Sequence, residues 1–169
     1  MQIIKYFTLL LILISSTYIG TLISKRYTNR VKDLKEMKTA LNIFSTKIKF
    51  TYEPIPKIFK EISEKIESNI ARIFLSASEK MQNITAGKAW IQALEESNTS
   101  LNKEDIETLK NLSNLLGKVD IEGQVNEIEL VETFLNTQIE KAEEECKKNV
   151  KMYKTLGISI GLAIIIVLV

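Results

Sequence analysis

The chain has 169 residues, a formal charge of +2, no histidine and a single cysteine. This composition excludes His-based acid/base and nucleophilic chemistry, imidazole metal sites, an intrachain disulfide and a thiolate cluster. The small charge and few aromatics argue against a nucleic-acid partner, and a lone thiol fits a reducing compartment.

The first predicted element is apolar. No residue from Tyr6 to Ile23 is charged, a run of the length needed to cross a bilayer. A cleaved signal peptide is the rival reading, but "TYIGTLISKRYTNR" offers no good small-residue cleavage site. Lys25, Arg26, Arg30, Lys32 and Lys35 follow instead, in a stop-transfer pattern. Residues 1–24 are therefore expected to be a retained anchor. Tyr27, Val31, Leu34, Met37, Leu41, Phe44 and Ile48 recur at steps of three and four, so the same helix should continue beyond the membrane. It should stop at "TYEPIP", where Pro54 and Pro56 force extended neighbours and a turn.

A second helix should carry Ile55, Ile58, Phe59, Ile62 and Ile66 on one face. After the break at "ESN", Asn69 should cap a third helix with Ile70, Ile73, Phe74, Ala77 and Met81. Thr85 should cap a short fourth helix bearing Trp90, Ile91 and Leu94, and "ESNTS" should be a loop. In "LNKEDIETL", Asn102 suits the N-cap, Asp105 the N3 acid, and Leu101 with Ile106 the hydrophobic staple. The fifth helix should carry Ile106, Leu109, Leu112 and Leu116 and end at Gly117 in a left-handed cap.

Asp120 should open the last helix. Its stripe is Ile121, Val125, Ile128, Val131, Leu135, Ile139, Ala142, Cys146 and Val150, and it should run on into the apolar C-terminal segment. From Met152 that segment spans about 27 Å at ~1.5 Å per residue, with Tyr153 at headgroup level and Lys151 and Lys154 snorkelling beside it. A buried helix of a soluble core is the alternative, but "GLAIIIVLV" is apolar all round, which suits lipid better. Gly157 and Gly161 form a G-x-x-x-G candidate packing face in lipid. No stretch alternates with period two. The expectation is an all-α fold, a cytoplasmic bundle of about six helices whose first and last helices continue into transmembrane spans. The domains would be 1–24 and 152–169 as anchors and 25–151 as the bundle.

Charge sets orientation. Lys25, Arg26 and Arg30 follow the first span and Lys147, Lys148, Lys151 and Lys154 precede the second, so the positive-inside rule places the middle of the chain in the cytoplasm and both termini outside. Lys25, Arg26, Lys151, Tyr153 and Lys154 are the candidate membrane-interface residues. The early soluble helix is basic and residues 104–145 are acidic, so the first and last soluble helices should pair antiparallel. "EKAEEECKK" holds more acid than intrachain pairing needs. Glu140, Glu143, Glu144 and Glu145 are therefore candidates to face a partner, as are Asp120 and Gln124 in the preceding turn. Asp120 also has a plain role as a helix cap.

No chemistry emerges. "TAGKAW" lacks the frame of a phosphate-binding loop. The carboxylates lie on solvated faces, and Trp90 reads as core. No catalytic residue, cofactor or metal is expected.

Arg30 with the Leu34, Met37 and Leu41 stripe, "IKFTYEPIP" with Phe50, Pro54 and Ile55, "GKAWIQAL", "LLGKVDIEGQ" with Leu116, Gly117, Asp120 and Gln124, and "KMYKTLGISIGL" form a set of segments. Together they resemble the stage III sporulation protein AB family of endospore-forming bacteria. The likeness covers essentially the whole chain and departs at Lys47, where the family pattern implies an acid. It implies a part of the machinery linking mother cell and forespore, similar in fold to the cytoplasmic domains of type II secretion and type IV pilus platform proteins. The implied partners are membrane lipid, a cytoplasmic secretion-type ATPase and other membrane subunits of the same channel, with homo-oligomerisation left open. A sensory module with an extracytoplasmic bundle is the alternative, but it leaves the flanking cations unexplained. An enzyme is disfavoured by the missing chemistry.

Overall fold

A computed structural model describes residues 2–51, 53–114, 116 and 121–168, with side chains described for all of these except 2, 3, 121, 122 and 124. The described residues hold α1 (Gln2–Thr51), α2 (Ile55–Lys65), α3 (Asn69–Lys80), α4 (Ala86–Glu95), α5 (Lys103–Lys110), a 3-10 turn (Asn111–Asn114) and α6 (Ile121–Leu168), with no strand among them. The fold is all-α, and its first and last helices, 50 and 48 residues long, each carry a stretch long and apolar enough to cross a bilayer. At ~1.5 Å per residue each helix is about 70 Å long. The chain divides into two compact units, one made of residues up to Val31 and from Lys141 onward, the other of Lys32–Glu140.

In the Lys32–Glu140 unit the core is built by the stripes that periodicity marks. Leu34, Met37, Leu41, Phe44 and Ile48 of α1 are buried, as are Ile58, Phe59 and Ile62 of α2 and Ile70, Ile73, Phe74 and Ala77 of α3. Val125, Ile128, Val131, Leu135 and Ile139 of α6 complete it. Phe59 lies at the centre, edge-on to Phe44, Phe74 and Trp90 at centroid distances of 4.9, 5.0 and 5.6 Å. Such edge-to-face pairs contribute about 0.5–1.5 kcal/mol each beyond the area they bury. Trp90 is a core residue, fully buried, with its indole N–H donating to the Leu109 carbonyl at 2.7 Å.

Local signals explain most helix ends. Beyond Thr51 the chain turns at Pro54, whose carbonyl accepts from Lys57 and Ile58 to start α2. Asn102 and Asp105 form the reciprocal capping box of α5, each side chain accepting the other's backbone N–H at 2.8 Å.

Three expectations are corrected. The cap of α3 is Ser68, not Asn69: Ser68 is extended and its Oγ accepts from the N–H groups of Ile70 and Ala71, while Asn69 is already helical. Thr85 occupies the N-cap position of α4, but its hydroxyl makes no capping bond. The fifth helix does not run regularly to Leu116; it tightens into the 3-10 turn at Asn111–Asn114. The tightening goes with close packing on α4. Trp90 takes the Leu109 carbonyl, and the Ser113 carbonyl lies so near Gly87 that a Cβ there would stand 2.2 Å from it. Gly117 and Asp120, the expected stop and start, lie outside the described residues.

Candidate functional site

In the unit formed by the chain's two ends, α1 and α6 meet where neither helix carries a Cβ. A Cβ on Gly20 would stand 2.6 Å from the Tyr153 carbonyl, and one on Gly157 would stand 2.9 Å from the Ser16 carbonyl. Gly161 is less constrained, its nearest neighbour being the flexible Leu13 side chain at 3.0 Å. Ser16 donates its hydroxyl across the seam to the Gly157 carbonyl. The seam continues past the apolar stretch through stacked Tyr27 and Tyr153 rings 5.8 Å apart, the Thr28 hydroxyl against Cys146 Sγ at 3.8 Å, and Arg30 paired to Glu145 at 2.7 Å.

Lys25, Arg26, Lys151 and Lys154 are exposed around this end, while Tyr153 is half-buried by its stack on Tyr27. Within the acidic run, Glu144 and Glu145 are exposed and Glu143 is half-buried. Glu145 is engaged with the buried Arg30, and Glu143 also makes an interaction within the chain. Glu140 is exposed at the edge of the other unit. Asp120 lies outside the described residues, and so does the side chain of Gln124.

The Lys32–Glu140 unit adds features not anticipated from the sequence. Asp33, only 7% exposed, accepts the Ser100 N–H at 2.7 Å and so ties α1 to the loop before α5. Burial holds its carboxyl above the usual range, against the pull of that N–H. Burial also raises Glu132, partly offset by Lys38, and its Oε1 has no hydrogen-bond partner among the described residues. Lys47 bridges Glu61 and Glu53 across the Pro54 turn, and the Glu61 bond holds its ammonium above the usual value. The Lys47 cation is thus answered by two local carboxylates. Leu130 and Phe134, one turn apart on α6, are 48% and 51% exposed, on the side away from Ile128, Val131 and Leu135. Their off-stripe spacing was the signal that could have found them.

No group of three or more potential metal ligands occurs among the described residues. A family model described as Stage III sporulation protein AB matches residues 5–169. A solved structure named Stage III sporulation protein AB is similar in fold, with a TM-score of 0.66 and 24% identity over 70% of this chain and 96% of that one. No curated protein matches the chain.

Proposed function

Because the chain belongs to the stage III sporulation protein AB family, we propose that it is a non-enzymatic, membrane-anchored platform subunit of the secretion-like channel between mother cell and forespore. It docks a cytoplasmic secretion-type ATPase, and its two apolar helix segments hold it in the membrane. The observation that carries this reading is that α1 and α6 each join an apolar span to an arm of the helical core without a break. The cations that follow the first span and precede the second support a cytoplasmic core and outward termini.

The acidic run Glu140 to Glu145 of α6 is the proposed contact. Of the run, Glu140 and Glu144 are the residues to reverse, because Glu145→Lys would set a cation against buried Arg30 and disturb the fold itself. Glu140→Lys and Glu144→Lys should each lower co-purification of the ATPase several-fold with helical content unchanged. Undiminished co-purification removes this run from the docking surface.

Orientation is tested with Cys146→Ser combined with Asn98→Cys, since Cys146 is half-buried and Asn98 exposed. A membrane-impermeant maleimide should label Asn98→Cys only after permeabilisation. Labelling of intact cells would put the helical core outside and favour a sensory module.

A further inference from the structure

We propose that the groove between the apolar segments of α1 and α6 holds one anionic phospholipid, its acyl chain along the groove and its phosphate at Arg26. This rests on the membrane-anchored reading above and adds a ligand to it. The groove has a volume of about 570 Å³ and is walled by Leu11, Ile19 and Ile23 of α1 and Leu156, Ile160 and Ile164 of α6. From Thr8 to Ile23 it follows α1 for about 22 Å at ~1.5 Å per residue, an elongated shape suited to a hydrocarbon chain. Two hydroxyls in the lining are turned to backbone carbonyls, Thr8 to Ile4 and Ser16 to Gly157, and with Ser15 and Tyr153 as the other hydroxyl-bearing residues the lining is predominantly hydrocarbon.

Charge at one end selects the occupant. Ile19, Ile23 and Arg26 are spaced i, i+4, i+7 and share one helix face, so Arg26 stands on the groove face about one turn beyond its last apolar residue. It is exposed, and Lys25, Lys151 and Lys154 are exposed near the same end. A guanidinium fork matches a phosphate bidentately. An apolar groove that ends at an arginine is complementary to a molecule with a long hydrocarbon chain below an anionic headgroup.

The test uses the full chain in nanodiscs of equal parts phosphatidylcholine and phosphatidylglycerol with matched acyl chains, read by native mass spectrometry after release. One retained lipid per chain is expected, with phosphatidylglycerol favoured about fivefold or more, because each cation near the surface contributes about that ratio. Arg26→Gln should lower the preference about fivefold while lipid is still retained, the remainder being carried by Lys25, Lys151 and Lys154. Ser15→Phe, which fills the groove, should reduce retention of both lipids; Ile160→Phe does so from the other wall. No retained lipid, equal retention by the wild type, or a preference untouched by Arg26→Gln overturns the site. Alkaline carbonate extraction of cell membranes carrying the full chain separates the two readings. A chain that is extracted refutes the anchored reading itself, whereas one that stays without headgroup preference refutes only the lipid site.

Discussion

At the scale of single residues, the core depends on a few positions where there is no room or no partner. Gly87 packs directly on the Ser113 carbonyl. Gly87→Ala would force α4 and the 3-10 turn apart, and a loss of about 1–3 kcal/mol is expected in denaturant unfolding. Glu132 works in the opposite sense. Its carboxyl is raised from the ordinary 4.5 by burial, so the folded state holds a proton more tightly than the unfolded one. Its effect on stability is therefore most favourable at low pH and is lost as pH rises through the raised value. Glu132→Gln should raise Tm at pH 7, and the gap from wild type should close as pH falls towards 4.5, as read in melts across that range. A constant gap would mean that Glu132 acts through packing instead.

At the scale of elements, the α1–α6 seam ranks its glycines. An added methyl meets backbone within 3 Å at Gly20 and Gly157, whereas at Gly161 it meets the movable Leu13 side chain first, with Ser16 Cβ at 3.2 Å and no backbone atom nearer than 3.4 Å. Gly20→Ala and Gly157→Ala should each cost about 1–3 kcal/mol in detergent-unfolding titrations and Gly161→Ala under about 1 kcal/mol. Equal losses at all three would contradict this packing. The elements themselves were largely legible, because each soluble helix had to bury one stripe and the stripes of α1, α3 and α6 recur without ambiguity. Asn102 and Asp105 announced α5 because their chemistry satisfies backbone donors locally. Ser68 was missed because Ser and Asn both suit a cap, and only backbone geometry decides between neighbours. The 3-10 turn was illegible because what accompanies it, the contact of Gly87 and Trp90 with the segment 109–113, joins residues 26 and 19 positions apart.

At the scale of the whole molecule, the apolar ends were plain in composition, whereas the candidate surfaces were not. An exposed carboxylate reads the same in a sequence whether it faces solvent, as Glu144 does, or a cation of a distant helix, as Glu145 does. Leu130 and Phe134 could have been picked out by their phase, yet only the fold shows that nothing within the chain covers them to more than about half. Sequence separation has a further consequence, for the order of assembly. Helices α2 to α5 pack on near neighbours in the chain, and such contacts close quickly. Ser16 and Gly157 stand 141 positions apart, and Arg30 and Glu145 stand 115 apart, so their meeting carries the full loop-closure entropy unless the intervening helices are already formed. The inner helices should therefore fold first and shorten the effective loop, and the seam should close last. The half-buried thiol of Cys146 beside Thr28 is placed to time that closure, its labelling slowing only after the tryptophan has already reached its buried environment.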